Sequence, residues 1–237
     1  MERTEVRIAG FGGQGVVLAG VLLGRAALED GRYAVQTQSY GAEARGGAAR
    51  SEVIITDQPA LYPEVVAPHV LVALSQAALD RYLADLRPDG LLIADAELVS
   101  RLPERPAGSI LRERFTEVAG VELGRPIVAN MVMLGFLVQA TGLVGLDSLR
   151  EAVKKGVPPG TEVLNLKAVE RGIELATGQG RHCPGIRGYL CFEVILVYRL
   201  GLWHLAEFLP IGERKYAENR GAAGLPIAGA GRCRCGE

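Results

Sequence analysis

Two glycine-rich segments hold the residues whose types and spacing suit chemistry. Gly10-Phe11-Gly12-Gly13-Gln14-Gly15 has the spacing G-x-G-x-x-G, directly after the apolar run Val6–Gly10 and before an amphipathic stretch. A turn of this kind aims the unpaired N–H groups of the following helix above the sheet edge, where they suit a phosphate or a carboxylate. The second segment sets Tyr40, Glu43, Arg45 and Arg50 among Gly41, Gly46 and Gly47. Arg45 and Arg50 carry the fork-shaped donors that hold an anion, with Glu43 placed to fix one of them. An internal salt bridge across a turn is the alternative. Gly46 and Gly47 remove side-chain bulk beside Arg45, where a ligand or another subunit would approach.

The first loop admits three readings. One is a dinucleotide site, with the pyrophosphate on the helix N-terminus. That site needs an acidic residue at the end of the second strand, whereas Glu29 and Asp30 precede the run Tyr33–Gln38. The second is a site for another phosphate or carboxylate ligand, or a partner loop. The third is a tight turn that only glycine permits. Asn130 stands between a strand end and an apolar helix, where ligands gather in open α/β sheets, and it would equally serve as an N-cap. His69, after Pro68, reads as a partly exposed loop histidine. No Ser/His/Asp set, Cys/His set or paired-carboxylate motif stands out, so no self-contained catalytic machinery is expected.

The elements that position these loops alternate. Val6–Gly10, Tyr33–Gln38, Val70–Leu74, Leu91–Asp95 and Pro126–Ala129 read as strands, being short, apolar and β-rich. Gly15–Asp30, Ser75–Leu86, Met131–Thr141, Ser148–Lys155 and Glu162–Ala176 read as helices, with Asp147 as an N-cap and Gly156 at a C′ position. Met131, Met133, Leu134, Phe136 and Leu137 are candidate core. Alternation of this kind implies an α/β fold: a three-layer α/β/α, Rossmann-like domain with a mostly parallel sheet. Between Gln38 and the run Ser51–Thr56 there is room only for the glycine loop, so these strands must pair antiparallel and the sheet is mixed. Val99 to Glu113, rich in proline and arginine, reads as a surface excursion.

The chain has 237 residues, 49% hydrophobic and 22% charged, enough for one large domain with an ordinary core. A formal net charge of −1 leaves no basic excess for non-specific nucleic-acid binding. No secretory h-region and no transmembrane run is visible, and a cytoplasmic chain is expected. Cys183, Cys191, Cys233 and Cys235 match neither zinc nor iron–sulfur spacing and read as isolated thiols, so any electrons must be carried by a partner. The texture changes after about Thr177: residues 178–237 read as an atypical, partly disordered extension.

GFGGQGVVLAGVLLGRAA, SYGAEARGGAARSEVIIT, Leu61-Tyr62-Pro63 and GRPIVANMVMLGFLVQATG occur in that order. Together they resemble the gamma subunit of the 2-oxoacid:ferredoxin oxidoreductases over about residues 4–177, most of all the 2-oxoglutarate type. The resemblance implies a multisubunit enzyme that decarboxylates a 2-oxoacid on thiamine diphosphate with Mg2+. Electrons leave through iron–sulfur clusters to ferredoxin, and an acyl-CoA is released. It implies that alpha and beta chains hold the diphosphate, that a beta or delta chain holds the clusters, and that the gamma chain serves assembly and the CoA side. On these motifs the site residues are Gly12, Gly13, Gln14, Gly15, Tyr40, Gly41, Glu43, Arg45, Gly46, Gly47 and Asn130. An autonomous Rossmann-type NAD(P)-binding protein is the alternative.

Overall fold

The computed structural model describes residues 3–40, 48–60, 62–102 and 108–178, with the side chain of Tyr40 excepted. The elements run β1 (Arg3–Phe11), α1 (Val16–Glu29), β2 (Tyr33–Tyr40), β3 (Ala48–Thr56), β4 (Val70–Ala73), α2 (Gln76–Tyr82), β5 (Leu91–Asp95) and β6 (Ser109–Glu113). They continue with α3 (Phe115–Val121), α4 (Ala129–Thr141), α5 (Leu146–Gly156) and α6 (Glu162–Gly178). The six strands form one sheet in the order β2-β3-β1-β4-β5-β6. β1, β4, β5 and β6 are mutually parallel, and β3 lies antiparallel between β1 and β2. The mixed, mostly parallel sheet expected from the missing crossover is therefore what forms.

Strand alternation divides the core in two. Val6 and Ile8 of β1, Val53 and Ile55 of β3 and Val72 of β4 face one way and meet α1 and α3–α6 in the larger apolar cluster. Ala9, Leu71, Ala73, Leu92 and Ala94 face the other way and are covered by Ala78, Leu79 and Tyr82 of α2. β4 and β5 are buried along their whole length, as strands covered on both faces must be. α4 is buried on all sides, with Met131, Met133, Leu134, Phe136 and Leu137 in the core as expected. It crosses α6 at backbone contact: a Cβ on Gly135 would lie 2.1 Å from the Val169 carbonyl oxygen, and one on Gly172 would lie 1.9 Å from that of Val132.

Several local expectations are corrected. Pro126–Ala129 is no strand: Pro126–Val128 is a 3-10 turn running straight into α4, because proline suits a first turn and cannot donate to a ladder. The stretch after Val99 ends in β6, an edge strand, and α3 follows it. Asp147 lies inside the first turn of α5, whose N-cap is Gly145, and its carboxylate accepts from Arg150 instead. Gly156 is the last residue of α5 and is not among the glycines with positive φ. Among the described residues no helix is long and apolar enough to cross a membrane.

Candidate functional site

β1 delivers the first glycine loop to the carboxyl end of the sheet, and Gln14 fixes its shape. The backbone N–H of Phe11 donates to Gln14 Oε1 at 2.6 Å, and Gln14 Nε2 donates to the Leu74 carbonyl at 2.9 Å. One side chain thus ties the ends of β1 and β4 together. Gly13 and Gly15 have φ of 102° and 70°, in the left-handed region that favours glycine. Gly15 is the N-cap of α1; no side chain caps that helix and no acidic residue stands in its first turn. Its positive dipole end is therefore not neutralised from within the helix.

Asn130 is not an N-cap. It sits in the first turn of α4, 3% exposed, and its Nδ2 donates to the Gly15 carbonyl at 3.2 Å. The structure thus brings Gly15 and Asn130 together and joins the start of α1 to the start of α4. Beside them opens a cleft of about 270 Å³ lined by Gly13, Gln14, Leu74, Thr116, Pro126 and Ile127, among others. Gly12 lies next to these residues in the turn.

Two residues of this cleft region were missed by the motifs. Asp95 ends β5 with no exposed surface, and its carboxylate accepts from the backbone N–H of Glu97 at 2.9 Å. Its other oxygen accepts from the Thr116 N–H at 3.0 Å and the Thr116 hydroxyl at 2.7 Å. With its proton committed to Asp95, the Thr116 hydroxyl oxygen is left as an acceptor at the cleft wall. A carboxylate closing an apolar strand run was the available signal for Asp95. Nothing local marked Thr116, because α3 reaches Asp95 only through the fold.

Tyr40 ends β2 opposite Ala49, and Ala48 opens β3 opposite Phe11. Both stems of the second loop therefore stop at the sheet end where the first loop begins. Gly41, Glu43, Arg45, Gly46 and Gly47 lie outside the described residues, as do Leu61 and the four cysteines. Arg50 does not reach the cleft. Its guanidinium lies 5.7 Å from the Tyr82 ring centroid on the α2 side of the sheet, and its Nε lies 4.0 Å from Glu52. His69 is half-buried; its Nδ1 accepts from the Glu5 N–H at 3.1 Å, and burial holds its pKa below the ordinary histidine value.

The dinucleotide reading fails on topology. A Rossmann site places the acidic strand end on a parallel neighbour of β1, but here antiparallel β3 separates β1 from β2. Glu29 and Asp30 lie at the far end of α1, where Glu29 pairs with Lys155 at 2.7 Å and Asp30 accepts from the Gly145 N–H at 2.7 Å.

Residues 5–175 match the model of the pyruvate ferredoxin/flavodoxin oxidoreductase family. The chain belongs to that family. It is 50% identical to the 2-oxoglutarate synthase subunit KorC of Methanocaldococcus jannaschii, across 73% of this chain and 94% of the relative. Among solved structures, the gamma subunit of a keto/oxoacid ferredoxin oxidoreductase from Geobacter sulfurreducens matches with a TM-score of 0.65 and 44% identity. That match covers 74% of this chain and 99% of the other. A fold likeness at 22% identity and TM-score 0.68 extends to a 2-oxoglutarate:ferredoxin oxidoreductase from Magnetococcus marinus, solved with 2-oxoglutarate, coenzyme A and succinyl-CoA bound. It covers 75% of this chain and 32% of that one. The resemblance carried by the motifs holds: this is an oxidoreductase subunit of the gamma type, and the autonomous NAD(P)-binding alternative falls.

Proposed function

We propose that the chain is the gamma subunit of a cytoplasmic 2-oxoglutarate:ferredoxin oxidoreductase and forms the CoA side of its site together with partner chains. The reaction takes a 2-oxoacid, CoA and oxidised ferredoxin to an acyl-CoA, CO2 and reduced ferredoxin. The observation that carries the reading is the convergence at one sheet end. The Gly12–Gly15 turn, the stems of the Tyr40–Gly47 loop and the cleft all lie there. So do Phe11 and Ile127, large apolar side chains that are 38% and 65% exposed. CoA carries phosphates, which suit an uncapped helix N-terminus and arginine. Apolar side chains at the same rim suit contact with another subunit.

Alpha, beta and delta chains are the proposed partners, and ferredoxin meets the complex through them. Among the described residues no three His, Cys, Asp or Glu side chains come together as a metal site. Thiamine diphosphate, Mg2+ and the iron–sulfur clusters belong, in this proposal, to the partner chains, as the family resemblance implies. The test is reconstitution: the chain co-purified with alpha, beta and delta chains, assayed for CoA-dependent dye or ferredoxin reduction. The expected result is turnover with 2-oxoglutarate that is lost or no longer saturable in CoA when this chain is left out. Full CoA-saturable turnover without it would overturn the reading.

A further inference from the structure

Thr116 is held in one orientation by a group that is costly to bury. Asp95 closes β5 with no exposed surface, and a carboxylate leaves water only where hydrogen bonds replace its hydration. One of its oxygens accepts from the Glu97 N–H, and the other accepts from both the N–H and the hydroxyl of Thr116. The two backbone bonds fasten the turn after β5 to the start of α3, and they need no hydroxyl at position 116. The third bond does something else. It spends the Thr116 proton on Asp95, so toward the cleft the hydroxyl oxygen can only accept.

The remainder of the cleft is apolar or already bonded. Leu74 and Leu98 follow β4 and β5, Pro126 and Ala129 lead into α4, and all four line it. The Leu74 and Leu98 carbonyls accept from Gln14 Nε2 and from the Gln76 N–H. Gln14 Oε1 accepts from the Phe11 N–H, so both ends of that amide are engaged in holding the turn. Among the described residues lining the cleft, Gln14 and Thr116 have the polar side chains, and Thr116 Oγ1 is the acceptor not engaged by the backbone. At about 270 Å³ the cleft is near the small end of ligand pockets, which start at about 300 Å³. It suits one end of a ligand rather than the whole of CoA.

We infer that this cleft takes the adenine of CoA and that Thr116, oriented by Asp95, accepts from its exocyclic amine. The inference rests on the proposed function, which sets CoA phosphates at the Gly12–Gly15 turn beside the same cleft. The diphosphate divides CoA into a thiol half and a nucleoside half. The thiol half must reach the 2-oxoacid carbon on a partner chain, which leaves the nucleoside half for this one. Adenine brings two apolar faces for the leucine and proline side chains, and an amine that donates from the edge of the ring. Hypoxanthine carries a carbonyl oxygen in place of that amine and would set acceptor against acceptor. Thr116 is thereby a specificity residue and Asp95 a positioning residue, and neither touches the reacting atoms.

The reconstituted complex, assayed with CoA and with its deamino analogue, in which hypoxanthine replaces adenine, tests this. With the unmodified chain the apparent KM for the analogue is expected about tenfold above that for CoA, because a site built round a donor rejects a ligand lacking it. Thr116→Val keeps the N–H bond to Asp95 and removes the acceptor, so the ratio is expected to fall below about twofold. Thr116→Ser restores the hydroxyl and is expected to return the ratio toward that of the unmodified chain, which a merely structural role for position 116 would not do. If Thr116→Val fails to assemble, Thr116→Ala is read in the same way. An analogue used as well as CoA by the unmodified chain, or a ratio that Thr116→Val leaves unaltered, overturns the inference. If CoA saturation still requires this chain, the proposed function survives that result; full CoA-saturable turnover without the chain overturns both.

Discussion

Asn130 donates to the Gly15 carbonyl at 3.2 Å across 115 residues of chain, and a Cβ on Gly15 would lie 2.2 Å from that same Nδ2. The junction of α1 and α4 is thus closed so tightly that only glycine fits. Gly15→Ala is expected to cost about 2–4 kcal/mol, of which about 1–2 kcal/mol is the left-handed backbone and the rest is the clash. In an Asn130→Ala background the Nδ2 and Cγ contacts are gone and only the Cβ at 3.3 Å remains, so the same substitution is expected to cost little more than the backbone part. Denaturant unfolding of the four proteins in the double-mutant cycle measures this; strict additivity would show that the two residues do not meet.

Arg7 is a buried cation on the other face of the sheet. It donates to Glu52 Oε1 at 2.7 Å and to the Val65 carbonyl at 3.0 Å, pairs with Asp85, and lies 5.1 Å from the Tyr82 ring centroid. Arg7→Met would leave the buried Glu52 carboxylate with Arg50 at 4.0 Å as its remaining cation. Orphaning a buried charge costs about 3–5 kcal/mol, and replacing both partners by apolar groups is often near neutral. Arg7→Met is therefore expected to lower the unfolding midpoint sharply, and Arg7→Met with Glu52→Leu to recover most of the loss. A double variant as unstable as the single one would refute this account.

His69 links stability to pH. Its Nδ1 accepts from the Glu5 N–H, which requires a neutral ring, and burial foremost, with Arg87 next, holds its folded pKa below 6.5. The unfolded chain then binds the proton first. The contribution of neutral His69 is fully present above about pH 6.5 and is lost as pH falls through the folded pKa. Unfolding midpoints at pH 7.5 and 5.5 are expected to differ less in His69→Gln than in the unmodified chain. Equal slopes would remove His69 from the pH response.

Much of this architecture is legible without coordinates because local signals agree with global demands. Gly10–Gly15 after an apolar run marked the β1–α1 turn, and the short link after Gln38 marked the antiparallel pair. Helix α4 is visible as a long apolar run, and Asn130 reads as a ligand-end residue or a cap, but nothing local tells that it reaches the Gly15 carbonyl. What stayed hidden was short or settled by distant contact. β6 is a five-residue strand behind a Pro/Arg-rich stretch, and α3 is only seven residues long. Thr116 becomes part of the cleft region only because α3 docks on Asp95. Pro126–Ala129 misled because a four-residue apolar run carries no periodicity to tell a strand from the lead-in of a helix.

Assembly and CoA handling can be separated by two substitutions, one at the cleft rim and one in the second glycine-rich segment. Ile127 is an exposed apolar side chain at the cleft rim, so Ile127→Asp leaves the fold intact and opposes burial against another subunit. It is expected to reduce co-purification with the alpha and beta chains at least tenfold, while the isolated chain keeps its unfolding midpoint. In sequence Arg45 directly precedes Gly46 and Gly47, and under the proposed function its guanidinium would meet a phosphate of CoA. Arg45→Ala is expected to raise the apparent KM for CoA about tenfold or more, the loss of a charge-assisted hydrogen bond, with thiamine diphosphate affinity unchanged. Arg45→Lys should restore part of it, since the charge returns without the fork. An assembled Arg45→Ala complex with an unchanged CoA KM would remove the second loop from the CoA side and leave it a purely structural contact.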